Sequence, residues 1–122
     1  VLDMGDKFAR TQGFARTDEA LKANAIHARQ IAKQHECAMF YMSQLSADAE
    51  NKVVLNQAMM EGSRTGKAAE ADLMILIAKN PTVEGQDEED TQRHLNVVKN
   101  KLSGWHGIVH CELDYKTARY TV

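Results

Sequence analysis

Residues 62–79 read GSRTGKAAEADLMILIAK, and the fold turns on whether Gly66-Lys67 belongs to a phosphate-binding loop. Such a loop needs G-x-x-x-x-G-K-[ST], so that backbone N–H groups wrap the phosphates, the lysine reaches the terminal ones and a hydroxyl holds Mg²⁺. Here Gly62 precedes Gly66 by four positions rather than five, and Ala68 stands where the hydroxyl is required. The order of elements is inverted as well. This stretch runs into an apolar strand, whereas a P-loop follows a strand and opens a long helix. It is not a P-loop, and DLMILIAK (72–79) predicts a fully apolar strand instead.

Upstream, CAMFYMSQL (37–45) is a comparable run that does not alternate, which suits a strand buried on both faces between helices. Before it, Leu21, Ala25, Ala28, Ile31 and Ala32 recur at three- and four-residue spacing, predicting a helix of about 18 residues. Thr17 is its N-cap, with Asp18 and Glu19 in the first turn. Val1-Leu2-Asp3 reads as the end of a buried strand, and residues 4–16 as a loop. The polar stretch 46–68 has no period of its own, and a connection that long in a compact domain is usually functional or mobile.

Downstream, 81–91 is an acidic loop with a solvated DEED run. Strands follow at 93–102 and 108–114, joined by the turn SGWHG (103–107), and YKTARYTV returns along them. The predicted fold is therefore α/β: a mostly parallel sheet with a helical crossover and a C-terminal antiparallel hairpin.

At 122 residues the chain is one domain, long enough to bury a core. Its 15 basic and 17 acidic residues nearly balance, so no global field draws it to nucleic acid or to an anionic membrane; any such contact is local. Two cysteines, Cys37 and Cys111, are too few for a disulfide framework and suit a reducing cytosol. No apolar run approaches the ~18 residues of a membrane span, so no membrane partner is expected. The first residue is Val rather than Met, as expected of a processed chain or a piece of a longer one.

Chemistry enters at strand ends. Ligands of open parallel sheets bind beyond the carboxyl ends of the strands, where Asp3 is placed to hold a Mg²⁺–phosphate. Gln44 ends the next apolar strand, and its amide suits a phosphate oxygen or a hydrolytic water. Each also has a plainer reading, as a turn-former and as a satisfied loop residue. Lys99 and Lys101, two apart on a predicted strand, put both ammonium groups on one face, either as a solvated edge or as an anion clamp. Arg64 and Lys67, with Ser63 and Thr65, suit the phosphates of a nucleic-acid backbone, or form an ordinary polar loop. His106, His110 and Cys111 lack metal-ligand spacing, and His110 and Cys111 point to opposite faces of a strand.

Taken in order, the strand-end Asp3, the helix, the strand ending in SQL, SRTGKAAEADLMI and KNKLSGWHGIVHCELDYKTARY resemble the C-terminal half of the RecA-like motor domain of DnaB-type replicative helicases, phage relatives included. The resemblance covers nearly the whole chain; only the 46–60 and 81–92 loops have no counterpart. It implies that Asp3 is the Walker B aspartate, holding Mg²⁺ through water, and that Gln44 senses the γ-phosphate and couples it to the DNA loop. It implies further that Arg64, Thr65, Gly66 and Lys67 belong to a loop gripping single-stranded DNA. Lys99 and Lys101 match the pair that one subunit inserts into its neighbour's ATP site in a hexameric ring.

Two departures stand out. Position 101 is Lys where the family carries an arginine finger, which supplies charge without the planar fork. The Walker A segment and catalytic glutamate have no counterpart in residues 1–122. The resemblance thus implies a fragment of an ATP- and Mg²⁺-dependent helicase, cytoplasmic in a bacterium or a phage-infected host. By itself the chain is expected not to hydrolyse ATP or bind it tightly, and to self-associate over an uncovered edge. The alternatives are another RecA-like ATPase or recombinase, or a non-catalytic interaction module.

Overall fold

The periodic alanine-rich segment forms α1, Thr17–Gln34, with Ala20, Leu21, Ala25 and Ala28 buried. Asp18 and Glu19 lie in its first turn and Lys33 in its last, each on the side that the helix dipole favours. Its end is a Schellman motif. Cys37 N–H donates to the Ala32 carbonyl (3.0 Å), and Glu36 takes the left-handed conformation with φ 49°.

The structure, a computed structural model, describes residues 1–3, 5, 17–61, 66–82 and 90–122. The chain divides into two units, Val1–Asp48 with Gln57–Ala71, and Ala49–Asn56 with Asp72–Val122.

In the first unit, α1 packs on a five-residue helix, α2, Gly66–Glu70, whose Gly66, Lys67 and Ala68 are buried. Small residues on both helices let the backbones approach. Arg29 of α1 donates to the Glu70 carbonyl, satisfying one of the carbonyls left open at the end of α2. Its Nε lies 4.0 Å from a Glu70 carboxylate oxygen. The segment before α1 and the one after it meet in a parallel bridge, Leu2 beside Tyr41. Leu2 N–H donates to the Phe40 carbonyl (2.7 Å) and Met42 N–H to the Leu2 carbonyl (3.0 Å). The predicted helical crossover is therefore present, with α1 between two parallel-paired segments.

The second unit is a four-stranded sheet, antiparallel throughout, in the order β1-β2-β3-β4. Its strands are β1 Leu73–Lys79, β2 Gln92–Asn100, β3 Gly107–Asp114 and β4 Arg119–Thr121. Met74, Leu76 and Ala78 of β1 are buried. His94 and Asn96 of β2 share their face, because they stand opposite Ala78 and Leu76. A register shift between Met74 and Ile75 leaves Val98 as a bulge in β2.

Four expectations are corrected. The sheet is not mostly parallel: among the described residues, parallel pairing is confined to the Leu2–Tyr41 bridge. An apolar run states how much of a strand is covered but carries no information about the direction of its neighbour. Neither apolar run is buried on both faces. Phe40 and Met42 are exposed, and β1 alternates, with Leu73, Ile75 and Ile77 outward. Val1 and Asp3 are likewise exposed. The 46–68 stretch is structured where described, with 3-10 turns at Ala47–Ala49 and Gln57–Met59 and then α2. Most of the predicted 4–16 loop and residues 83–89 of the acidic loop lie outside the described residues.

Candidate functional site

Asp3 follows Leu2 directly beyond the parallel bridge, in an exposed turn. Gly5 N–H then donates to the Met42 carbonyl (2.9 Å), so the chain stays beside the 40–42 segment. Gly5 is buried against the Tyr41 ring, where an added Cβ would meet ring carbons at 2.4–2.7 Å. Only glycine permits this approach. Gln44 lies farther along the same segment, also exposed. Asp3 and Gln44 thus leave the carboxyl ends of two adjacent parallel-paired segments, the position where an α/β fold presents ligand-binding side chains.

Gln44 stands on a fixed base. Its carbonyl accepts from Glu61 N–H (3.1 Å), and Ser46 N–H donates to the Met59 carbonyl (2.8 Å), on either side of the antiparallel Leu45–Met60 bridge. Residues 46–59 therefore leave and rejoin the chain beside Gln44.

Of the four loop residues, Arg64 and Thr65 lie outside the described residues. Gly66 and Lys67 open α2 and are buried, Lys67 being 4% exposed. The Lys67 ammonium donates to Ser43 Oγ at 2.8 Å, beside Gln44 in the chain. The sequence marks Lys67 as a charge in a polar loop; nothing in its spacing signals burial.

Lys99 and Lys101 belong to the second unit. Lys99 is half-buried on β2, opposite Met74. The strand ends at Asn100, so Lys101 opens a turn rather than sharing a strand face with Lys99. Lys101 is held at the start of β1: its N–H donates to the Asp72 carbonyl (2.8 Å) and its ammonium lies 3.4 Å from Asp72 Oδ1. Asn100 folds the turn. Its Oδ1 accepts from Leu102 N–H (3.0 Å) and Ser103 N–H (3.1 Å), and its amide donates to Ser103 Oγ (2.8 Å) and the Trp105 carbonyl (3.2 Å).

Asn96 is the buried polar group that the sequence pattern does not reveal. It is 2% exposed; its Oδ1 accepts from Leu55 N–H (3.0 Å), and its amide donates to the Val53 and His94 carbonyls (3.0 and 3.1 Å). One side chain thereby completes the backbone bonding of an irregular segment laid on the sheet. The sequence carries no clear signal for it, since the inward face of β2 also holds His94 while the apolar Leu95 and Val97 lie on the other face. At the other end of β2, His94 bonds His110 (Nδ1 to Nδ1, 2.8 Å) and, through Nε2, the side-chain Oδ1 of Asn80 (2.9 Å). No group of three or more His, Cys, Asp or Glu among the described residues could hold a metal ion. No described helix is long and apolar enough to cross a membrane.

No protein-family model and no curated protein matches the sequence. Solved structures match in fold. A DnaB-like replicative helicase, described with its interactions with primase, matches 97% of this chain with a TM-score of 0.77 and 13% identity, over 29% of its own length. A second solved structure, an ATPase domain, matches 92% of this chain with a TM-score of 0.75 and 12% identity, over 39% of its length. The chain thus spans less than two-fifths of either. Its α/β fold is similar to that of the DnaB-like replicative helicase and of that ATPase domain, over the part of each that it covers.

Proposed function

We propose that the chain is the C-terminal portion of the motor domain of an ATP-dependent replicative DNA helicase that works as a ring on single-stranded DNA. The observation that carries this reading is the fold match across 97% of the chain, with Asp3 and Gln44 at the carboxyl ends of adjacent parallel segments. Asp3, which is exposed, suits an outer-sphere role toward a Mg²⁺–nucleotide, which would supply the phosphoryl-transfer chemistry when bound. Gln44, a neutral amide on a braced segment, orients a phosphate oxygen or water. Residues 1–122 hold the metal-side and sensing groups without a phosphate cradle. Lys99 and Lys101 act in trans on a neighbour's nucleotide, and Arg64, Thr65 and Gly66, with Lys67 at the base, form the loop toward DNA.

The test is titration of a labelled oligo(dT) with the chain at two or more salt concentrations. Weak binding that falls steeply with salt is expected, with Arg64→Ala lowering the slope by about 0.7 for a lost single-strand phosphate contact. Salt-insensitive binding, or none, would count against the loop's role and favour a non-catalytic interaction module.

A further inference from the structure

Asn80, just beyond β1, sets where the hydrogens lie on one histidine that it touches and on another that it does not. The Asp90 carboxylate only accepts, so the Asn80 atom 3.3 Å from its Oδ1 is the amide nitrogen, which also donates to Gln92 Oε1 (3.1 Å). The Asn80 N–H donates to Asp90 Oδ2 (3.1 Å) and holds the residue in place. Asn80 Oδ1 therefore faces His94 Nε2 at 2.9 Å as an acceptor, and Nε2 carries a hydrogen. Neutral His94 then has a bare Nδ1. His110 Nδ1 lies 2.8 Å from that atom, and one N–H must stand between them, so the hydrogen belongs to His110. Neutral His110 is thereby the Nδ1–H tautomer, with a bare Nε2. The two rings meet edge on, their planes 85° apart. His94 is buried, whereas His110 is exposed and lines a cleft of about 480 Å³ with Gln92, Glu112 and Thr121.

A first added proton has an accessible place, His110 Nε2, and leaves the bond between the Nδ1 atoms untouched. A second has only His94 Nδ1, the lone pair that this bond occupies. Two N–H groups cannot face each other at 2.8 Å, so the rings must then part. His94 is buried and anchored by Asn80, so His110 is the ring that leaves. We infer that His94 and His110 form a two-step proton latch at this end of the sheet: it holds through the first proton, and it opens on the second, uncovering His94 to the cleft. The charges around the pair are few. On β3, Glu112 shares the His110 face and Asp114 follows it, held by its own turn. On β4, Arg119 stands opposite Asp114. Asp90 reaches His94 through Asn80, and the Arg93 guanidinium donates to the Asp90 carbonyl and the Tyr115 hydroxyl. β1 sets uncharged Ala78 opposite His94, and residues 53–55 meet β2 at Asn96 without a charge. The inference stands apart from the helicase reading.

The experiment uses the 122-residue chain, isotope-labelled on its histidine ring nitrogens, and follows them by NMR as pH is lowered. The exposed His27, His35 and His106 serve as internal references. At mildly alkaline pH, where ordinary imidazoles are neutral, His94 is expected as Nε2–H and His110 as Nδ1–H, with a nitrogen–nitrogen coupling across their bond. That coupling persists as His110 Nε2 takes its proton. It is lost when His94 Nδ1 takes one, while far-UV dichroism keeps the signal of an intact sheet. Asn80→Ala supplies the second arm. Without the Asn80 oxygen, the hydrogen on His94 is free to move to Nδ1, so His110 shifts to a mixture of tautomers. A merely structural role for Asn80 would leave the His110 tautomer unmoved. If Asn80→Ala fails to fold, the wild-type spectrum decides alone. A neutral His110 with its hydrogen on Nε2 overturns the inference, as does the absence of coupling at every pH. So does an unchanged His110 tautomer in folded Asn80→Ala, or a sheet that unfolds before the coupling is lost.

Discussion

Asn96 shows how one side chain can substitute for a strand. The segment 53–55 has no ladder of its own over the sheet, yet its donor and acceptor are both met by one amide. Asn96→Leu preserves volume but strands the Leu55 N–H and the Val53 carbonyl. Each buried unsatisfied group costs about 1–3 kcal/mol, so urea unfolding should show a loss of about 2–4 kcal/mol. A loss no larger than that of a surface substitution would mean that water reaches both groups. Asp114 carries a second prediction. Its carboxylate accepts from Thr117 Oγ1 (2.7 Å) and Lys116 N–H (2.9 Å), the hydroxyl bond first, and these hold its pKa below the ordinary 3.8. A depressed carboxylate stabilises the fold above its ordinary pKa and loses that contribution as pH falls through the folded value. The 115–118 turn should therefore loosen only in the acid range below 3.8. NMR titration of the Asp114 carboxyl should find its midpoint raised in Thr117→Val; an unmoved midpoint would remove the hydroxyl as the main cause.

Between β2 and β3, the chain reverses through residues 101–106 around Asn100 and Gly104. Gly104 has φ +76°, and an added Cβ there would meet nothing within 4 Å. Gly104→Ala therefore suffers conformational strain alone, about 1–2 kcal/mol, without a clash. The expected result is an intact sheet with a lowered unfolding midpoint and faster amide exchange at Lys101. Unchanged stability would mean that the turn relaxes to a negative φ. Much of this level is legible before the structure. The spacing of Leu21, Ala25 and Ala28 marks α1 and the DLMILIAK run marks β1, because burial patterns are local properties of the chain. The predicted 37–45 strand, by contrast, is reduced to isolated bridges at Tyr41 and Leu45. What β1 pairs with is not local, and so its antiparallel partnership with β2 is unreadable from DLMILIAK. The same limit divides the candidate site. That Asp3 and Gln44 lie beyond the Leu2–Tyr41 bridge follows from local chain pattern, whereas the inward turn of Lys67 depends on where α2 packs.

At the scale of the sheet unit, the outward face of the sheet carries exposed apolar side chains. Leu73, Ile75 and Ile77 are 43%, 46% and 48% exposed. Ile75 stands opposite Val97, Ile77 opposite Leu95, and Leu95 opposite Val109, so these side chains continue one another across β1, β2 and β3. Tyr120 of β4, 45% exposed, stands opposite Leu113 of β3 and carries apolar surface to the far edge. A contiguous apolar patch of this kind is uncommon on a monomer and usually marks an interface. Net charge offers little resistance to association, since the formal total is −2. The chain alone should therefore associate as its concentration rises. Light scattering across a dilution series should show the mass increasing, while Ile75→Lys with Ile77→Lys, two outward positions, should keep a monomer with an unchanged far-UV spectrum. If the double variant associates as the wild type does, the contact lies elsewhere on the chain. If the wild type is monomeric at every concentration, the face is not self-complementary. Its exposed isoleucines would then meet a different surface.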